Sequence, residues 1–141
     1  MIQQFYPQVQ HSYRYELNKD MHLAAAHFIP SEKAGKCQHM HGHTYFINIT
    51  IGGDALNELG FLINFKRIKD IVHGRYDHSL LNDHPEYSNN FPTTEIVAEQ
   101  IWVAIQKELD TEPNKPKCLQ VLVRETPTSY VVYRPKREDF E

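Results

Sequence analysis

The chain has 141 residues, of which 40% are hydrophobic and 23% charged. This length and composition are typical of one globular domain over residues 1–141, and they exclude a (β/α)₈ barrel, which needs about 250 residues. The formal net charge is −3 and the pI is ≈ 6.3, so no overall basic field favours nucleic acid or an anionic membrane surface as a partner.

The length of the apolar runs and the number of cysteines indicate the cellular compartment in which the protein resides. Runs such as residues 61–63 and 121–123 fall far short of the roughly 18 apolar residues that a membrane-spanning helix requires. Residues 1–5 lack the basic region and apolar stretch of a secretory signal. Two cysteines, Cys37 and Cys118, do not form a disulfide framework. We therefore expect a cytoplasmic protein without a membrane segment.

Alternating hydrophobicity predicts two long strands in the first third of the chain. Over residues 13–29 the odd positions are mainly apolar, and over residues 41–51 the odd positions again share one face. This period of two predicts strands with the odd positions directed inward. Residues 30–40 are polar and contain glycine, which favours a loop. Two long strands joined by one loop indicate an antiparallel pair.

The rest of the chain alternates between helix and strand patterns. We predict a short helix at 66–73 and surface loops at 74–91. A second helix, opened by Pro92, buries Ala98, Ile101, Trp102, Ile105 and Leu109. Strands follow at 118–125 and 129–134, and the ends at 1–12 and 136–141 are predicted to be solvated. This order predicts an α+β fold, with a four-stranded antiparallel sheet and two helices on one face.

Histidines dominate the candidate chemistry, with nine in the chain. His27 lies on the inward face of the first predicted strand, and His41 and His43 lie on that of the second. One pairing register brings these three imidazoles together. Three histidines with no fourth ligand are typical of a catalytic zinc, which keeps one position open. The alternative is that each histidine only bonds to backbone, but burying three imidazoles without a shared partner is costly.

Four other residues have chemistry that the pattern alone leaves open. Glu125 ends the inward row of the third strand, where it either meets a cationic or amide-bearing ligand or emerges into solvent. Cys37 is a base or nucleophile if a cation lies near it, and otherwise an inert loop thiol. Asp77 and His78 are a possible acid–base dyad. Cys118 is expected only to pack in the core.

Five segments in order resemble one known family. They are Ala25-Ala26-His27, Cys37 with His41-Gly42-His43, Asp77-His78 with Leu81-Asn82, Pro92-Thr93 with Glu95 and Ala98, and Glu125-Thr126. Over nearly its whole length the chain resembles the 6-pyruvoyltetrahydropterin and 6-carboxytetrahydropterin synthase group. Two positions depart from the family pattern: Asn64 stands where Asp is common, and Tyr76 stands where Leu is usual.

The resemblance implies a role for each candidate residue. It implies zinc on the three histidines, Cys37 as the base that abstracts a proton, Asp77 and His78 as its relay partners, and Glu125 as the anchor of the pterin. It also implies the tunnelling fold and a homo-oligomer built from trimers, such as a hexamer. Its active sites would lie between subunits, with Glu125 contributed across an interface. Lys33, Lys36 and Arg75 are candidates for contact with a substrate triphosphate.

The spacing of Cys37 and His41 suggests which branch of the family the chain resembles. Three residues separate them, as in the zinc-dependent carboxy-forming lyase of the 7-deazaguanine (queuosine) pathway, whereas the pyruvoyl-forming enzymes usually have five. The resemblance thus implies that 7,8-dihydroneopterin triphosphate is converted to a 6-carboxy product with release of acetaldehyde and triphosphate. The alternatives are a pyruvoyl-forming synthase and a non-catalytic, zinc-stabilised binding module.

Overall fold

A five-stranded sheet organises the computed structural model, which describes residues 6–141. The strands are β1 (Tyr15–His27), β2 (His41–Gly53), β3 (Ser79–Leu80), β4 (Lys117–Thr126) and β5 (Ser129–Tyr133). Their spatial order is β3-β1-β2-β4-β5. All neighbours pair antiparallel except β3, which runs parallel to β1.

The long hairpin β1–β2 forms as the alternating pattern predicts. Its pairing runs without interruption from Tyr15 opposite Gly53 to His27 opposite His41. In the second half of β1 the odd positions Met21, Leu23, Ala25 and His27 are buried, while the even positions are more exposed. A slip of one residue would move this whole set to the other face, so burial excludes such a slip.

Two α-helices cover the face of the sheet that carries the odd positions. α1 (Phe65–Tyr76) begins at Asn64, whose side chain accepts a hydrogen bond from the Lys66 amide at 2.9 Å. α2 (Thr94–Leu109) is capped by Thr93 in the same way. The fully buried apolar side chains of both helices meet those of the strands; they include Ile47, Ile49, Ile68, Val72, Ile101, Ile105, Val121 and Val123. Asn64 therefore caps α1, a role that an aspartate can also fill.

The predicted α+β class and the two helices on one face are confirmed, but the sheet has five strands rather than four. The additional strand β3 lies in the segment 74–91, which was expected to be loop throughout. A strand of two residues is too short to produce a hydrophobic period, so the pattern could not reveal it. The same segment contains 3₁₀ turns at Leu81–Asp83 and Pro85–Tyr87.

Most of the described residues at the two ends are exposed, as the prediction of solvated ends requires, but Tyr6 and Phe140 pack against the fold, and residues 1–5 lie outside the described range. The Tyr6 ring stacks on Phe46 with centroids 6.3 Å apart, and its hydroxyl donates to Asp20 at 2.6 Å. A 3₁₀ turn at Arg137–Phe140 places the Phe140 ring 5.8 Å from that of Trp102. Single aromatic side chains hold both ends to the sheet and helix.

Within residues 6–141, neither α-helix combines the length and the apolar character that crossing a membrane demands.

Candidate metal centre and active site

Three histidine rings converge at the end of the hairpin β1–β2 where the loop 28–40 joins the two strands. His27 pairs with His41, and Ala25 pairs with His43, which is the kind of register that the face pattern required. The ring centroids of His27 lie 4.5 Å from His41 and 5.2 Å from His43, and the latter two are 4.8 Å apart. His27 is 2% exposed, so this cluster extends from the protein interior to the surface.

Backbone carbonyls fix the tautomers of two of these rings. The Nδ1 atom of His27 lies 2.8 Å from the carbonyl oxygen of Pro92, and that of His41 lies 2.7 Å from the carbonyl oxygen of His39. A carbonyl can only accept a hydrogen bond, so each Nδ1 carries the proton and donates it. Each Nε2 atom therefore keeps a lone pair, which is the form of histidine that binds a metal.

Glu125, near the end of β4, completes the cluster. Its Oε1 atom lies 2.9 Å from Nε2 of His43 and 3.4 Å from Nε2 of His27. Its Oε2 atom accepts a hydrogen bond of 2.7 Å from the Thr94 hydroxyl. The side chain is 24% exposed, so it does not emerge freely into solvent. We expected Glu125 to be contributed across an interface; the structure places it against histidines of its own chain.

The donor set fits a bound cation. One candidate ligand atom from each of His27, His41, His43 and Glu125 lies within 4.8 Å of the others. The buried Nε2 atoms of His27 and His43 have no hydrogen-bond partner among the described residues. A carboxylate oxygen of Glu125 lies close to both atoms, but neither ring directs an N–H group at that oxygen. Buried nitrogens without a partner are costly, and a shared cation relieves that cost. Nitrogen and carboxylate donors suit zinc.

Burial keeps the third ring in its neutral form. It lowers the pKa of His43, an effect that the Glu125 carboxylate partly opposes and that His27 and His41 reinforce. A neutral imidazole is the metal-binding form.

Cys37 lies at the histidine end of the sheet but outside the cluster. It belongs to a 3₁₀ segment, Glu32–Gln38, and is exposed. Its carbonyl oxygen accepts a hydrogen bond of 2.7 Å from the Ile29 amide, which ties this segment to the chain just beyond β1. The thiol is therefore held near the end of β1 that carries His27, on an accessible loop.

Asp77 and His78 lie along the outer edge of β1. The Ala24 amide donates to Asp77 Oδ1 at 3.1 Å, and the His78 amide donates to the Ala24 carbonyl at 2.6 Å. The distance from Asp77 Oδ2 to His78 Nε2 is 3.6 Å, which is too long for a hydrogen bond. Within one chain the two residues do not form the oriented dyad that the sequence suggested, since the carboxylate instead caps the edge of β1.

A cavity of about 510 Å³ adjoins His78. It is bordered by His78, by the small residues Ala24, Ala26 and Gly42, and by His43 of the histidine cluster. The cavity therefore adjoins both His78 and one histidine of the cluster.

Two contributors to the site were missed at the level of sequence. Thr93 caps α2, whereas the Thr94 hydroxyl donates a hydrogen bond to Glu125. The Pro-Thr-Thr-Glu stretch marks the start of α2 in the sequence, but only the fold shows which of its two threonine hydroxyls contacts Glu125. Tyr45 continues the face of His41 and His43, and its hydroxyl lies 3.3 Å from Nδ1 of His27.

Arg75 is engaged elsewhere and is a poor candidate for the triphosphate contact. Its Nε and Nη2 atoms each donate to Glu86 at 2.6 Å. The hydrogen bond from Arg75 lowers the pKa of Glu86 to about 2, with a further contribution from Tyr76, so the ion pair persists at neutral pH. Lys33 and Lys36 are exposed on the segment that carries Cys37, and they remain the candidates.

Comparison with known proteins agrees with this geometry. Residues 16–136 match the family model described as 6-pyruvoyl tetrahydropterin synthase. The chain is 60% identical over 141 residues to 6-carboxy-5,6,7,8-tetrahydropterin synthase of Bacillus subtilis, and the match covers 97% of each protein. It is 36% identical over 111 residues to 6-pyruvoyl tetrahydrobiopterin synthase of Drosophila melanogaster, covering 73% of this chain and 64% of that protein.

A solved structure shows the same fold. The 6-pyruvoyl tetrahydropterin synthase of Caenorhabditis elegans superimposes with a TM-score of 0.72 at 23% identity, covering 86% of this chain and 96% of that one. Because the family model spans most of the chain and the Bacillus relative matches end to end, the chain belongs to the 6-pyruvoyl tetrahydropterin synthase family.

Proposed function

We propose that this protein is a zinc-dependent 6-carboxy-5,6,7,8-tetrahydropterin synthase. As a carbon–carbon lyase it would convert 7,8-dihydroneopterin triphosphate and water to 6-carboxy-5,6,7,8-tetrahydropterin, acetaldehyde and triphosphate, in the cytoplasmic biosynthesis of 7-deazaguanine and queuosine. The observation that carries the proposal is the 60% identity to the Bacillus subtilis enzyme of that name over 97% of both chains. The three-residue spacing between Cys37 and His41 agrees with it.

Zinc would be held by Nε2 of His27 and His41 and by a ring nitrogen of His43. Two observations support this assignment: the tautomers set by backbone carbonyls and the buried nitrogens without a partner. Bound zinc supplies Lewis-acid polarisation of the substrate's side-chain oxygens, which makes the adjacent C–H bonds more acidic.

The protein's own groups would perform the proton transfers and hold the pterin. Cys37 would take a proton from the substrate side chain, with Asp77 and His78 as the relay that moves that proton onward. Glu125 would accept paired hydrogen bonds from the 2-amino group and ring N–H of the pterin. Thr94 already holds one oxygen of this carboxylate, so the carboxylate plane is set before the substrate arrives.

Glu125→Gln separates the two roles that the geometry allows for this carboxylate, pterin anchor and fourth metal ligand. We expect the variant to keep stoichiometric zinc on the three histidines and to bind the pterin more weakly. KM should rise by about tenfold or more, since a charge-assisted pair of hydrogen bonds is lost. Metal analysis and steady-state kinetics measure the two effects. Loss of zinc in this variant would assign Glu125 to the metal instead.

We also propose a homo-oligomer built from trimers, with active sites completed between subunits. β3 pairs with β1 only at Ala25 and Ala26, so the earlier part of β1 lies at a free edge of the sheet, and β5 forms the opposite edge. Such edges favour pairing with another chain. Among the described residues of one chain, Cys37 has no hydrogen bond or ion pair to Asp77 or His78, so a neighbouring subunit would bring the relay pair to the thiol. Light scattering at micromolar concentration should give a multiple of three chains; a monomer would contradict this assembly.

The product decides among the candidate functions. Purified zinc-loaded protein is incubated with 7,8-dihydroneopterin triphosphate, the acetaldehyde is trapped, and the pterin product is identified by mass. Acetaldehyde together with the 6-carboxy product is the expected result. A 6-pyruvoyl product without aldehyde would make the chain a pyruvoyl-forming synthase like its Drosophila relative. No turnover with intact zinc would indicate a non-catalytic binding module.

A further inference from the structure

Tyr45 places a buried hydroxyl directly behind the histidine cluster. The residue is 0% exposed and follows His43 by two positions on β2, so both side chains share one face. Its ring lies 6.0 Å from that of His27 and 5.5 Å from that of His43, edge-on in both cases. Tyr45 therefore forms the inner wall of the cluster rather than a remote part of the core.

The Tyr45 hydroxyl contacts the nitrogen of His27 that faces away from the cluster. Its oxygen lies 3.3 Å from Nδ1, and the Pro92 carbonyl oxygen lies 2.8 Å from the same atom. The carbonyl cannot donate, so the proton resides on Nδ1 and the phenol oxygen is its second, longer acceptor. One N–H is thus shared between oxygens that come from β2 and from the loop before α2.

Two acceptors constrain the ring more than one. A single carbonyl fixes the tautomer but allows the imidazole to tilt about the Nδ1–oxygen line, whereas a second oxygen on another element opposes that tilt. Partners of this kind behind a metal-binding histidine typically change metal affinity by about 10- to 100-fold when they are removed.

We propose that Tyr45 is a positioning residue: its hydroxyl, together with the Pro92 carbonyl, fixes the tautomer and ring plane of His27 so that Nε2 faces a bound divalent metal. The proposal rests on the metal site of the proposed function. Tyr45 touches no substrate in this role and acts through His27 alone. Its effect therefore appears in metal affinity and in coordination geometry.

A matched control lies nearby in the same core. Tyr87 is 5% exposed, and its hydroxyl has no hydrogen-bond partner among the described residues. Tyr87→Phe removes a buried phenol oxygen of the same kind without touching His27. Tyr45→Phe removes the oxygen that contacts His27 and keeps the ring that fills the wall.

The experiment measures zinc affinity by competition with a chromophoric chelator, and the visible absorption of the Co²⁺-substituted protein, for wild type and both variants. We expect Tyr45→Phe to bind zinc about tenfold more weakly and to shift the cobalt absorption bands. Tyr87→Phe should match wild type in both measurements.

Each other outcome overturns the proposal. Unchanged zinc affinity and cobalt spectrum in Tyr45→Phe would remove Tyr45 from the site while leaving the metal centre intact. Equal weakening in both variants would assign the effect to the core in general. A wild-type protein that binds neither zinc nor cobalt would overturn the metal centre of the proposed function itself, and the inference with it.

Discussion

Replacing His41 with alanine is expected to remove stoichiometric zinc and to reduce turnover below detection while the protein stays folded. His41 stands at the first position of β2, half-buried, and its side chain contacts the His39 carbonyl and the two other rings of the cluster. It is not among the buried residues that form the apolar core. Metal analysis, activity and circular dichroism of the purified variant measure the three expectations.

His39→Ala is the matched control for this substitution. His39 is exposed, and only its backbone carbonyl takes part in the site, so this variant should keep both zinc and activity. Removing zinc from wild type with a chelator should likewise abolish activity and leave the circular dichroism spectrum unchanged. Unfolding on chelation would instead support a structural zinc, and with it the interpretation as a metal-stabilised binding module.

Replacing Cys37 with alanine is expected to slow turnover by about 10² to 10⁴-fold, which is the usual contribution of a positioned general base. Zinc content and pterin binding should be unchanged, because Cys37 lies outside the cluster and contributes only its carbonyl to the local fold. The effect should therefore appear in kcat rather than in KM. A wild-type rate in Cys37→Ala would remove this thiol from the mechanism.

The second cysteine provides an independent control. Cys118 is fully buried against α2, and burial raises the pKa of its thiol to about 12. A thiol alkylating reagent near neutral pH should therefore react at Cys37 and inactivate the enzyme. Cys118→Ala should be inactivated at the same rate as wild type. Protection of Cys37 by the bound pterin would place the thiol at the substrate.

The sequence could predict the hairpin and the face of its histidines because both depend on local alternation. Inward odd positions such as Leu23 and Ile47 must be buried together, which excludes registers displaced by one residue; the structure then sets His27 opposite His41. The two helices follow from the spacing of their apolar side chains in the same way. Cys37 and Glu125 were found only as candidates, because a lone thiol or carboxylate has no period.

What the sequence by itself determined is therefore the α+β class, the long hairpin and the shared inward face of the three histidines, since each follows from the side-chain periods of strands and helices. Only the tertiary structure decided the contacts between distant segments. It placed β3 on the edge of β1, chose Thr94 rather than Thr93 to hold Glu125, and set the tautomer of His27 through the Pro92 carbonyl. Such contacts depend on where loops return to the sheet, and no local pattern records that path.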